Sequence, residues 1–368
     1  MSTAPTLQID LNALVSNWKT LASHSGNAET SAVIKADAYG LGIEPVATAL
    51  SKAGCKTFFV AMAHEGARVR ACNKEADIYL LNGLFPDTVD PILEHQLKPV
   101  LSSRAQISLW QKVGNSNPCA IHVDTGMNRL GLDVEEAIDL AADQSEIVAL
   151  NPDLLMSHLA CGDEPDDPMN GEQLQRFVTV KEKFAGIRAS FANSAGIMLG
   201  PDYHFDVTRP GISMYGGEAV NNVPNPMKPV VTASARILQI RDGKIGETVG
   251  YGATATLNRE TKIAVCSAGY ADGFHRAASG AGVSVRGAIP QGGFGYLDGY
   301  KIPLIGRVSM DLCAFDVTEV PDQTLNDCEW VELFGANIPV DDAARACGTI
   351  GYELLTSLGS RYRREYKH

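Results

Sequence analysis

The sequence predicts an α/β protein, a (β/α)8 TIM-type barrel followed by a mostly β C-terminal domain. Two textures carry that expectation. From residue 7 to about 215, short apolar β-rich runs alternate with amphipathic helical segments; from residue 230 onward the strands follow one another without helices between them. Strands alternating with helices pair in parallel through βαβ crossovers. Eight such units within about 210 residues match a closed barrel. An open doubly wound sheet is the rival, but it usually carries a glycine-rich nucleotide turn after its first strand, and no G-x-G-x-x-G occurs here.

The elements follow in order. Residues 11–23 form an opening helix with Asp10 as its N-cap. Barrel strands are expected at 32–35, 57–61, 77–81, 99–101, 120–124, 154–158, 190–193 and 204–207. Helical patterns fill 43–53, 63–71, 91–95, 103–112, 134–142, 170–184 and 195–199. The polar run 221–229, with Pro224, Pro226 and Pro229, reads as a linker. The barrel domain is therefore placed at 1–228 and the β-rich domain at 229–368. Strands in the latter are expected at 232–241, 262–268, 282–289, 301–305, 313–317 and 329–334, with helices near 340–346 and 349–358. Turns such as Arg241-Asp242-Gly243 and Leu297-Asp298-Gly299 separate some of these strands.

Composition narrows the function classes. The chain has 368 residues and a formal charge of −12. No apolar run approaches the roughly 20 residues of a membrane span, so no membrane partner is expected. The C-terminal basic run, Arg361, Arg363, Arg364 and Lys367, reads as a solvated tail or an interface, and no nucleic-acid partner is expected. None of the eight cysteines forms a C-x-x-C pair, and the N-terminus shows no secretory signal. A reduced, cytoplasmic protein fits. His158 and Cys161 lack companion ligands at metal-binding spacing, so no metal is expected.

Chemistry gathers where the barrel reading puts the mouth, at the carboxyl ends of the strands. Lys35 ends the first strand and is followed by Tyr39 between Ala38 and Gly40; an amine there, desolvated or beside a cation, is free to attack a carbonyl. After the fifth strand, His122 and Asp124 share a face, and a glycine-containing loop carries Arg129. Ser157-His158 and Ala192-Asn193-Ser194 stand at the ends of the next two strands, and Arg209-Pro210-Gly211-Ile212 follows the last. Ser194 with the Gly211 and Ile212 amides sits after strands seven and eight, the usual phosphate site of a barrel. Phosphate, an imine-forming lysine and a nearby arginine together suggest pyridoxal phosphate.

Two loops of the second domain complete the pattern: Gly269-Tyr270-Ala271-Asp272-Gly273 and Gly306-Arg307-Val308-Ser309-Met310-Asp311. With the Lys35 segment, D-T-G-M-x-R-x-G, A-N-S, R-P-G-I-x-x-Y-G, G-Y-A-D-G and G-R-V-x-M-D occur in that order. In this the chain resembles the alanine racemases, fold type III pyridoxal-phosphate enzymes, across essentially its whole length. The resemblance implies a cofactor held covalently by Lys35, which would also be the base for the α-proton of D-alanine. It implies that Tyr270, from the other subunit of a homodimer with shared sites, acts on L-alanine from the opposite face, helped by His158 and, behind it, Arg209. Arg209 would face the pyridine nitrogen, where a permanent cation discourages protonation. Arg129 and the Met310 amide of the other subunit would hold the small-molecule substrate's carboxylate; Tyr39, Ser194, Gly211 and Ile212 would take the phosphate.

Two departures stand out. Many relatives carry a carbamylated lysine seven residues before the arginine, where this chain has His122. Where some members place a phosphate-contacting tyrosine near the C-terminus, the resemblance puts Ser360, with Tyr352 and Tyr362 nearby, and the phosphate role of this segment is left open. The resemblance also leaves alternatives: a racemase of broader specificity acting on serine or basic amino acids, a decarboxylase of the same fold type, against which Arg209 stands where an acidic partner of the ring nitrogen would be, and a non-catalytic barrel that binds the same cofactor. The second domain with Tyr270 and Met310 argues against the last.

Overall fold

A strand buried on both faces needs a parallel sheet covered by helices outside and by packed side chains within. In Thr57–Val60 and Cys119–His122 every residue is buried. The computed structural model describes residues 3–283, 285 and 292–368. It divides into two units: Val15–Met214 with Glu218–Pro226, and the residues up to Leu14 with Tyr215–Gly217 and Met227–His368.

In the first unit, seven strands pair in parallel in chain order: Ala32–Val33, Thr57–Val60, Asp77–Leu80, Lys98–Leu101, Cys119–His122, Pro152–Met156 and Arg188–Ser190. The eighth, Val207–Thr208, pairs in parallel with Glu29–Thr30, just upstream of the first, and an Asn193–Arg209 bridge joins its far side to the seventh. Ser31 N–H donates to Thr208 O (3.0 Å), and Val33 N–H to Pro210 O (2.9 Å). These bonds close the barrel and exclude the open sheet. Toward the strands' N-terminal ends, Lys98 Nζ lies 2.6 Å from Asp77 Oδ1 and 2.5 Å from Asp153 Oδ2, while Arg188 Nη1 donates to Glu29 Oε2 at 2.8 Å. Charge at that face serves stability, which leaves the opposite face for chemistry.

Helices Ile43–Ala53 and Val134–Ala142 occupy the spans read from their apolar periodicity. Asp10 Oδ1 accepts from Ala13 N–H at 2.8 Å and so caps Leu11–His24. The short helix Gln144–Leu150 is absent from the sequence reading, because its Val148 is exposed and blurs the apolar stripe.

The second unit is built around Val231–Gly243, a 13-residue strand antiparallel to Thr6–Asp10, Thr261–Cys266 and Trp330–Phe334. Thr6–Asp10, which the sequence reading left unassigned, lies between that strand and Arg363–Lys367. The observed units divide the chain differently from the boundary expected at 228/229: the residues up to Leu14 and Tyr215–Gly217 fall with the β-rich unit, which resumes at Met227. Of the basic run expected as a solvated tail or an interface, Arg363, Arg364 and Lys367 do not form a tail, because they lie in that parallel strand. Few apolar residues mark it, so hydropathy alone misses it. The strand expected at 282–289 lies largely outside the described residues. Among the described residues, no helix is long and apolar enough to cross a membrane.

Ile9 is fully buried opposite Val231 on one side and Tyr366 on the other. Ile9→Ala should destabilise the protein by about 2–5 kcal/mol, whereas Gln8→Ala on the other face should stay within about 0.5 kcal/mol. Urea unfolding of both variants checks the contrast.

Candidate active site

Lys35 begins not a strand end but a reversal of backbone hand. Ala36, Asp37, Ala38 and Tyr39 all adopt left-handed φ angles between 53° and 55°. L-residues resist that conformation by roughly 1–2 kcal/mol each, and such strain persists only where surroundings over-determine it. Here they do. Ala38 N–H donates to Ile34 O and Gly40 N–H to Ala36 O, while Asp37 Oδ1 accepts from Ile43 N–H at 3.1 Å. Glu65, 5% exposed, accepts from Asp37 N–H on Oε1 (3.2 Å) and from Ala61 and Met62 N–H on Oε2 (2.9 and 3.0 Å). One carboxylate thus joins the end of the second strand to the turn that aims Lys35. Glu65 was missed in the sequence because an acidic residue in a helix's first turn is ordinary.

The mouth collects positive charge. Burial, then the Arg129 guanidinium, lowers the Lys35 amine pKa below its ordinary value, with Glu65 opposing. Arg209, 3% exposed, donates to Ser190 Oγ (2.5 Å) and Ser157 O (2.6 Å) and lies 3.5 Å from His158 Nδ1. Burial lowers its pKa to about 9, so it stays cationic at neutral pH. The His158 imidazole is held well below its usual range by burial and then by Arg209 and Arg129. Gln173, fully buried, donates to His158 O and to Thr125 Oγ1, which fixes the His158 backbone.

Arg129 rides on a loop built by Asp124. Asp124 Oδ1 accepts from Gly126 and Met127 N–H (2.8 and 2.9 Å), and Oδ2 from Arg129 N–H (3.0 Å). Burial opposes its ionisation, but these amides outweigh burial and hold the carboxyl below its usual range. The loop's base is closed by Asp124 N–H to Leu132 O and Leu132 N–H to His122 O. A Cβ on Gly131 would collide with the Asp124 amide, so glycine is needed there. His122 is buried, its pKa pushed down to about 4 by burial, then Arg209 and Arg129. Neutral imidazole here leaves the loop's Asp124 anchor as what positions the Arg129 backbone.

Asn193, not Ser194, caps the helix Ser194–Leu199, accepting from Gly196 N–H at 2.9 Å. Ser194 Oγ is thereby left to accept from Gly211 N–H at 2.8 Å. A Cβ on Gly211 would strike the Tyr39 hydroxyl. The Tyr39 hydroxyl, Ser194 Oγ and the Gly211 backbone thus meet at one spot that only a glycine leaves open, with Ile212 next in the chain. Two hydroxyls and backbone amides suit a phosphate; a desolvated amine, a neutral imidazole and a buried arginine lie around the same mouth. The residues present fit pyridoxal phosphate.

In the other unit, Tyr270 opens the short 3-10 turn Tyr270–Asp272 and is 43% exposed; Met310 is 54% exposed. Tyr270 N–H donates to Ser309 O and Ala271 N–H to Met310 O, each at 3.0 Å, so the two loops lie side by side. Gly269 is required between them, since a Cβ would meet the Met310 carbonyl. Tyr362 is buried, while Tyr352 stands partly exposed on the helix Gly351–Thr356.

Comparison with known proteins matches this geometry. A family model described as alanine racemase, N-terminal domain, covers residues 9–219, and one described as alanine racemase, C-terminal domain, covers 230–366. The chain is 51% identical over 369 residues to the alanine racemase of Rhizobium meliloti (strain 1021), covering 100% of this chain and 97% of the relative. It is 50% identical over 363 residues to the biosynthetic alanine racemase of Agrobacterium fabrum, covering 98% and 93%. It is also 41% identical over 365 residues to the catabolic enzyme of the same species, covering 98% and 91%. A crystal structure of the alanine racemase of Bartonella henselae with covalently bound pyridoxal phosphate superposes with a TM-score of 0.90 at 37% identity, covering 100% of both chains.

Two expectations follow from the geometry. Glu65→Gln keeps the shape but turns one acceptor into a donor facing a backbone amide; it should cost about 1–3 kcal/mol, read by urea unfolding. His122 gives a pH dependence. Between pH 6.5 and about 4 the unfolded chain takes up a proton that the folded one refuses, so stability falls on acidification. Between pH 7 and pH 5 the native protein should lose about 2 kcal/mol more than His122→Asn, measured by urea unfolding at both pH values.

Proposed function

This chain belongs to the alanine racemase family and is an isomerase that interconverts L- and D-alanine; we propose that it does so with Lys35 and Tyr270 as proton-handling groups on opposite faces of the substrate. The observation that carries the assignment of residues is the convergence at one barrel mouth of a pKa-lowered lysine with the Tyr39–Ser194–Gly211 cradle. Pyridoxal phosphate is the cofactor, and when bound it draws off the electrons of the broken Cα–H bond. Tyr39, Ser194, Gly211 and Ile212 would hold its phosphate, Lys35 its aldehyde carbon, and Arg209 would face its ring nitrogen.

The chain's own groups do the rest. Inverting a stereocentre needs an acid and a base on the two faces of a flattened carbon. Lys35 Nζ takes the α-proton of D-alanine, and the Tyr270 phenol gives a proton to the other face; in the reverse direction the roles exchange. A lowered amine pKa keeps a fraction of Lys35 neutral and able to accept. His158, held neutral beside Arg209, takes the phenol's hydrogen bond without adding a third cation. Arg129 and the Met310 amide hold the substrate carboxylate, fixing which face of Cα meets each group.

Tyr270 and Met310 act, in this reading, at the barrel mouth of a second copy, so the working form is a homodimer with shared sites. Their exposure beside exposed Leu312 supports it, because such apolar clusters are usually covered. The domain assignment of 1–228 to the cofactor barrel and 229–368 to the tyrosine-bearing domain belongs to the same reading, apart from the N-terminal strand. A cytoplasmic location is supported by the free cysteines among the described residues. Supply of D-alanine to peptidoglycan is the corresponding role, with catabolism the other use of the same reaction.

Exchange of the alanine α-hydrogen with deuterated solvent tests the assignment. The native enzyme should exchange from both enantiomers, and Tyr270→Phe from D-alanine alone; undiminished exchange from L-alanine in that variant would overturn the role of Tyr270.

A further inference from the structure

The turn that carries Tyr270 is walled on two sides. One wall is the Ser309–Met310 backbone, which accepts its N–H groups. The other is the segment 357–361: Gly359 N–H donates to Asp272 O at 3.0 Å, and a Cβ on Gly273 would collide with the Ser357 carbonyl. His275 Nε2 also lies 3.0 Å from Ser357 Oγ. Asp272 itself is fully buried, with Oδ2 accepting from Gly269 N–H at 2.9 Å.

A single side chain spans both walls. Arg361 places Nε 3.0 Å from Asp272 Oδ1 and donates from Nη1 to Asp311 Oδ1 at 2.7 Å. Asp272 closes the tyrosine turn, and Asp311 directly follows Met310. The neighbouring Tyr362 is buried, so the Arg361 backbone is anchored while its guanidinium reaches out. The guanidinium hydrogen-bonds the Asp311 carboxylate and ion-pairs with the buried Asp272 carboxylate, and its rigid plane sets the separation of what the two carboxylates carry. An ammonium in its place is a point charge on a flexible stem and cannot hold both with the same geometry.

We propose that Arg361 is a positioning residue for racemisation, fixing the Tyr270 turn against the Met310 loop so that the phenol and the carboxylate-binding amide are delivered together. The proposal rests on the assignment of Tyr270 and Met310 made above. Arg361 touches neither substrate nor cofactor in this role. Its work is mutual alignment: if the two loops drift apart, proton transfer at the phenol slows while transfer at Lys35 Nζ does not.

Isotope effects separate that role from simple loss of fold. In Arg361→Lys and in Asp311→Asn, the primary deuterium effect with L-[2-2H]alanine should rise, because abstraction by the phenol now limits turnover. That with D-[2-2H]alanine should fall toward unity, and kcat/KM should drop about tenfold in both directions. A fluorotyrosine placed at position 270 should give one narrow 19F line in the resting holoenzyme and a broadened or split line in both variants. A loss of activity with both isotope effects and the 19F line unchanged would overturn the proposal. Should Tyr270→Phe retain full exchange from L-alanine, it is the assignment of Tyr270 that fails. Retained L-specific loss in Tyr270→Phe with unmoved isotope effects in the Arg361 variants refutes the Arg361 role alone.

Discussion

Glu65 gathers three backbone amides onto one buried carboxylate, and the direction of the chain at Lys35 hangs on that clamp. Four consecutive left-handed residues turn the chain away from the strand axis immediately after Lys35. Summed, their intrinsic cost is about 4–8 kcal/mol, comparable to the whole stability of many domains. The turn is held by bonds to groups outside it, from Glu65, from Asp37 to the following helix and from the Ile34 carbonyl. An amine on such a turn is held in place before substrate arrives, and less reorganisation remains for the reaction itself.

The same mouth concentrates cationic and potentially cationic groups, Lys35, Arg129, Arg209, His122 and His158, with few facing carboxylates. Its charges are managed by hydrogen bonds to neutral oxygens and by keeping imidazoles unprotonated. Such a field suits an anionic cofactor and an anionic substrate group, and it disfavours a proton on any additional base there. The Asp124 loop shows how an exposed arginine can still be placed: its backbone, rather than its guanidinium, carries the anchoring bonds.

Parts of this were open to reading and parts were not. The barrel rhythm, the cap at Asp10 and the order of the motifs follow from local chemistry, so they could be read directly. The N-terminal strand could not, because Thr6–Asp10 is five residues long and acquires its partners only from Val231–Gly243 and Arg363–Lys367 far along the chain. Glu65 and Arg361 escaped for a related reason. Each looks like an ordinary charged residue until the backbone amide or carboxylate it binds is brought to it by the fold.

What the sequence determined by itself was the placement of polar chemistry: Lys35, Arg129, Ser194 and Arg209 at intervals set by alternating strands and helices, and Tyr270 in a glycine-flanked loop of the β-rich domain. Side-chain type and element period are local properties, and they survive without coordinates. Tertiary structure alone decided the hand of the backbone after Lys35, which charges are neutralised at the mouth and which segment braces the Tyr270 turn. Those depend on desolvation and on hydrogen-bond partners distant in the chain, and neither exists until the chain has folded.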